Sequence, residues 1–122
     1  MKERIVDALR GAICVSSDTS DAIDDAVKKL YENIMEKNHL ETNDLAFILF
    51  TQTGDLRSRN PAAALRASGH GNDVPLFCMQ ELEIEGMLER VIRIMIVTNV
   101  KIENPRPVYM DGAQQLRPEF KF

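Results

Sequence analysis

Apolar residues recur along the chain with two different periods, and the switches between them lay out its elements. Residues 3–15 (ERIVDALRGAICV) are rich in apolar and β-branched residues and predict a first strand. SSDTSD follows, offering several side chains able to cap a helix. From Ser20 to Lys37 the apolar positions Ile23, Val27, Leu30 and Ile34 have helical spacing, with Asp21, Asp24, Asp25, Lys28, Glu32 and Glu36 opposite them. That charged side reads as a solvated face, and its acidic first turn suits the helix dipole.

LAFILF (45–50) is a short unbroken apolar run, consistent with a strand buried on both faces, and TQTGDLRSRN reads as a loop. Asn60 before Pro61 is a cap followed by a first-turn proline, so a short helix, PAAALRA, starts there. SGHGND is a turn and VPLFCM (74–79) the third strand. Glu85 and Gly86 turn the chain into a fourth strand, RVIRIMIVTNV (90–100). A loop holding Pro105 and Pro107 leads to a last strand around VYMD. The order β-α-β-α-β-β-β predicts an α/β fold with a mixed sheet, in one domain over residues 1–122, with 112–122 as a flexible C-terminal tail.

Composition narrows the function. A net charge of −4 argues against a nucleic-acid footprint. No apolar stretch approaches the roughly 18 residues of a membrane span, and MKERIVDALRG lacks the apolar core of a signal peptide, so a cytoplasmic protein is expected. Cys14 and Cys78 make no disulfide framework, no CxxC or histidine cluster offers a metal site, and His39 and His70 read as surface loop residues. Arg4 and Asp7 read as surface charges and Cys14 as structural. Arginine outnumbers lysine nine to six, and arginine is the residue that grips a carboxylate with two parallel hydrogen bonds.

Several residues do not fit a plain core. In PLFCMQELEIEG (75–86), Phe77, Met79, Leu82 and Ile84 suit an interior, yet Cys78 and Glu81 interrupt them. On a regular strand those two point to opposite faces. Arg93 alternates with Val91, Met95 and Val97 on the most apolar strand, where an unpaired buried charge is very costly. That face is therefore a lined cavity, or Arg93 has an anionic partner, Glu81 being the obvious one. Arg10 ends an apolar stretch just before Gly11, which allows close approach. Arg66 lies among alanines on the short helix, Arg117 precedes a proline, and Tyr109 suits a core position with a polar tip. Several arginines beside apolar strands, with one carboxylate and one thiol, suggest a pocket for a small, multiply charged acid. Without a Ser-His-Asp pattern, a glycine-rich phosphate loop or a metal set, what remains is binding, or a reaction that needs only charge placement.

Taken together, LRGA followed by DT (10–19), FTQTGDL (50–56), NPAAALR (60–66), VPLFCMQE (74–81), RVIRIMI (90–96), RPVYM (106–110) and LRPEF (116–120) resemble the trimeric α/β-barrel class of chorismate mutase over residues 8–120. The resemblance implies a pseudo-barrel of about five strands with one long and one short helix. It also implies a homotrimer with sites between subunits, and isomerisation of chorismate, a dicarboxylate, to prephenate on the way to phenylalanine and tyrosine, without cofactor or metal. By the same resemblance Arg93 faces the ether oxygen, Glu81 and Cys78 contact the substrate hydroxyl, and Arg10 and Tyr109 hold a carboxylate. For both Cys78 and Glu81 to reach one site, the strand must end or bulge near Met79. Arg66 matches an arginine from the neighbouring helix region. Leu116 and Arg117 match the segment that closes over the ligand.

Two positions depart from the family pattern. Asn60 replaces an aromatic and Ala63 replaces a lysine found in some members, so Arg57 or Arg59 is expected to restore the missing charge. The 99–107 loop is about two residues short of the pattern. Two other functions compete: an enamine/imine deaminase on a similar trimeric fold, and a non-catalytic dicarboxylate binder.

Overall fold

The computed structural model describes residues 6–119 and contains five strands and two α-helices. These are β1 (Asp7–Cys14), α1 (Ser20–Lys37), β2 (Leu45–Gln52), α2 (Pro61–Ala67), β3 (Leu76–Gln80), β4 (Val91–Thr98) and β5 (Val108–Met110). Short 3-10 turns at Thr42–Asp44 and Ala113–Leu116 complete it. The strands form one sheet in the order β3-β2-β4-β1-β5, antiparallel where β4 meets β1 and β2, parallel at both edges.

Local chemistry sets both helices. Thr19 accepts a hydrogen bond from the Ala22 amide at the start of α1, and Asn60 accepts from Ala62 and Ala63 at the start of α2. Pro61 occupies the first turn of α2, where its missing N–H costs nothing. Ile23, Val27, Leu30 and Ile34 of α1 are fully buried against Leu9, Ile13, Ile48, Phe50, Ile94 and Ile96 of the sheet. Each such side chain contributes about 1.5–3 kcal/mol of burial. Ala62, Ala64 and Leu65 of α2 join the same core, so both helices cover one face. Gly11 makes the close approach possible: a Cβ there would lie 2.8 Å from Ile34 Cδ1 and 2.7 Å from the Val108 carbonyl. The space over Gly11 is thus filled by the protein itself, on the face opposite Arg10.

The other face carries no helix. At one end Ala12, Val91, Tyr109 and Ala113 form a small second cluster with Cys14, Leu88 and Leu116. Further along, Phe47, Phe77 and Met79 lie open. This corrects two expectations. β2 is not closed on both faces, since Phe47 is 38% exposed, and Phe77, Met79, Leu82 and Ile84 are surface rather than core, Phe77 at 62% and Leu82 at 83%. β2 also runs two residues beyond Phe50, through Thr51 and Gln52, where a loop was expected. Residues 3–5 of the expected first strand, Arg4 among them, lie outside the described residues. Asp7 is less of a bystander than a surface charge: its carboxylate accepts from the amides of Ala8 and Ile102.

Candidate active site

The register of the sheet gathers the functional candidates. Across the helix-free face one row runs Met79, Thr51, Arg93, Ala12, Tyr109. Directly opposed residues on neighbouring strands share a face, so Arg93 and Tyr109 look out on the same side, separated only by the methyl group of Ala12. Arg10, two residues before Ala12, faces the same way.

Arg93 has the anionic partner its position demands. Its Nε lies 2.8 Å from Glu81 Oε1, and the same oxygen accepts a 2.6 Å hydrogen bond from Thr51 Oγ1. The Glu81 side chain is 14% exposed, that of Arg93 47%, so the guanidinium faces outward over a mostly enclosed carboxylate. Glu81, Arg93, Thr53, Leu88, Gln115 and Leu116 line a pocket of about 270 Å³. Next along the chain from Leu116, the Arg117 guanidinium meets Glu119 at 2.7 Å and neighbours Tyr109. The Glu119 carboxyl is held below the usual range by its own backbone amide, then by Arg117, with a smaller pull from Arg10. Arg117 is thus beside Tyr109 and paired with Glu119, whose carboxylate also feels the charge of Arg10. The segment that carries Leu116 and Arg117 begins with the Ala113–Leu116 turn packed on β1 and β5.

Cys78 does not join this group. β3 keeps regular pairing with β2 as far as Gln80, and the Glu81 amide still donates to the Gln52 carbonyl. No bulge turns Cys78 round. It shares a face with Phe50, on the helix side, and its thiol lies 3.3 Å from Asn60 Oδ1. That oxygen is already fixed as the acceptor of the α2 cap, so the thiol is the donor. Burial pushes the thiol above its usual range, opposed by the Ala62 amide, Asn60 and the charge of Arg66. Asn60, Cys78 and Arg66 thus make a second group. Within one chain the two groups lie on opposite sides of the sheet.

Arg57 and Arg59 are committed elsewhere. Arg59 pairs with Asp24 of α1 at 2.8 Å, so the charged face of that helix is not simply solvated. Arg57 donates to the Gly54 carbonyl, and its amide is held by Asp18. It borders a larger hollow of about 530 Å³ whose other charges are Asp55, Glu83, Glu85 and Glu89. Four carboxylates repel a dicarboxylate, so the smaller pocket beneath Arg93 is the better candidate. His70 pairs with Glu32 and packs at a tilt against the Tyr31 ring, tying the loop after α2 to α1, and no cluster fit for a metal occurs among the described residues.

Sequence reasoning missed Thr51 and Gln115. Thr51 was hidden because its strand was expected to stop at Phe50. A β-branched residue directly after the run was the available signal. Gln115 gave none.

The family model "Chorismate mutase type I" matches residues 6–120. Chorismate mutase AroH of Bacillus subtilis is 36% identical over 117 residues, covering 94% of this chain and 92% of that protein. AroH of Thermus thermophilus is 38% identical over 120 residues, covering 96% and 98%. Among solved structures, a chorismate mutase from Clostridium thermocellum superposes with a TM-score of 0.83 at 39% identity, covering 88% of this chain and 97% of that one.

Proposed function

The chain belongs to the chorismate mutase type I family, and from that premise we propose how its residues convert chorismate to prephenate. The reaction is an isomerisation within one molecule: an ether C–O bond breaks as a C–C bond forms, with no proton transferred and no group exchanged. Catalysis then reduces to holding the folded conformer and stabilising charge on the ether oxygen. The observation that carries the reading is Arg93, a half-exposed guanidinium paired through Nε with Glu81 and lining the pocket. A fixed cation there stabilises the transition state more than the ground state. Arg10, Tyr109 and Arg117 take a substrate carboxylate in the corner where Glu119 now sits. Glu81 accepts the ring hydroxyl.

Asn60, Cys78 and Arg66 supply the remaining wall from a neighbouring chain. Two features support a homotrimer with shared sites. The candidate residues divide into two groups on opposite sides of the sheet, and the helix-free face leaves Phe47, Phe77 and Met79 open in a row that another chain would cover. Two free cysteines suit the reducing cytoplasm, the compartment we propose.

The test is loss of chorismate ultraviolet absorbance on addition of pure protein, with acid conversion of the product to phenylpyruvate. Light scattering on the same sample should give the mass of three chains. Saturable loss at that mass supports the reading. A folded protein that leaves chorismate intact overturns it, and a stable monomer overturns the shared site.

A further inference from the structure

We propose that Thr51 is a positioning residue that decides which oxygen of Glu81 faces the substrate. This inference rests on the site described above. Thr51 lies directly opposite Arg93 on β4 and opposite Met79 on β3, so its hydroxyl stands between the guanidinium and the carboxylate that follows β3. It donates to Glu81 Oε1 at 2.6 Å, the same oxygen that Arg93 Nε approaches at 2.8 Å. Coulombic attraction to Arg93 is weakly directional, whereas a short hydrogen bond fixes the roll of the carboxylate. Oε1 carries both the Thr51 hydrogen bond and the ion pair with Arg93, while Oε2 and the two outer nitrogens of Arg93 have no hydrogen-bond partner among the described residues. One acceptor and one two-pronged donor are thereby left for the ligand, side by side.

Remove the hydroxyl and the arrangement has a better alternative. An arginine and a carboxylate in contact prefer two parallel hydrogen bonds. Without Thr51 the carboxylate turns so that both oxygens grip Arg93. The outer nitrogens are then spent on Glu81 rather than on the ether oxygen, and Oε2 no longer waits for the substrate hydroxyl. Thr51 keeps Glu81 from neutralising the cation it supports.

Thr51→Val deletes the donor at nearly constant shape, and Thr51→Ser restores it. Thr51→Val should lower kcat and kcat/KM together, by about ten- to a hundred-fold, as expected for a contact made in the transition state. Thr51→Ser should recover most of that loss. In a Glu81→Ala background Thr51→Val should have no further effect, because it acts only through Glu81. Unchanged kcat in Thr51→Val, equal losses in Thr51→Val and Thr51→Ser, or additive losses would each overturn the assignment. A crystal structure of Thr51→Val separates this idea from the functional reading. The Glu81 carboxylate should be turned onto both sides of Arg93, and an unmoved carboxylate refutes the role of Thr51 whatever the turnover.

Discussion

Cys78 and Glu81 leave one end of the same strand in opposite directions. The thiol reaches Asn60 on the helix side, and the carboxylate reaches Arg93 on the open side. They stand three positions apart along extended chain, an odd offset that sends them to opposite faces, so within a chain they do not meet at one point. If both touch one substrate, they do so from two chains.

That division predicts complementation. Arg93→Ala spoils one half of a shared site and Arg66→Ala the other. Each variant alone should be nearly inactive. Unfolded together in equal amounts and refolded, they should recover about a quarter of wild-type activity, the fraction of sites assembled from two intact halves. Mixtures no more active than their parents would mean that each chain holds its own site.

Arg93→Lys keeps the charge but loses the planar fork, in which one nitrogen can pair with Glu81 and leave the others for a ligand. Turnover should fall about a hundred- to a thousand-fold in Arg93→Lys, and at least as far in Arg93→Ala. Thermal melting should show both variants folded. Near-normal turnover in Arg93→Lys would remove the fork from the mechanism.

Cys78 should behave as a protected thiol. Burial raises its pKa above the ordinary thiol range, so little thiolate exists near neutrality. Iodoacetamide should modify it more slowly than a free thiol at about pH 8, with the rate still rising above about pH 9. Peptide mapping by mass spectrometry reads this directly. A plateau below the ordinary thiol range would show an activated cysteine instead.

Asp18 carries the clearest acid-dependent contribution to stability. Its carboxylate accepts from the amides of Arg57 and Ser58, and these bonds hold its pKa below the usual value. A depressed pKa stabilises the fold above the unfolded carboxylate value, and that contribution is lost as pH falls through the folded one. Asp18→Ala should melt earlier than wild type at neutral pH, and the gap should close in acid. A gap independent of pH would mean that Asp18 acts through packing alone.

Gly11→Ala should destabilise the protein by about 1–3 kcal/mol in chemical denaturation, because the added methyl meets Ile34 and the Val108 carbonyl below normal contact distance. Wild-type stability would show that α1 can lift from the sheet at no cost.

Both helices were legible in the sequence, because their signals are local: several candidate caps in SSDTSD, Asn60 before Pro61, and an apolar stripe of fixed period; that Thr19 is the cap of α1 came from the structure. The five strands and their succession along the chain were legible too, but not their order in the sheet, which depends on pairings between distant residues. The orientation of 77–84 was not. Phe77, Met79, Leu82 and Ile84 have the composition of a core, and composition cannot tell a residue buried in its own chain from one left open on it. Arg93 and Glu81 announced themselves through the expense of a lone charge on an apolar strand. Arg10 carried a weaker mark of the same kind, at the end of an apolar stretch, whereas Arg66 and Arg117 had none and entered through the family pattern. The commitment of Arg59 to Asp24 bridges 35 residues and left no trace in local spacing.

The strand order also governs when the chain can fold. β4 is the fourth strand along the chain, yet it lies at the centre of the sheet and holds both β1 and β2, with Asp7 opposite Thr98 and Leu45 opposite that same threonine. A chain growing from the ribosome has its first two strands and both helices in hand long before their common partner exists. The only neighbour available to β2 in that interval is the parallel edge strand β3. Sheet assembly must therefore wait for residues 91–98 and then proceed nearly at once. Such non-local pairing is slow, and it keeps the apolar strands unsheltered during synthesis.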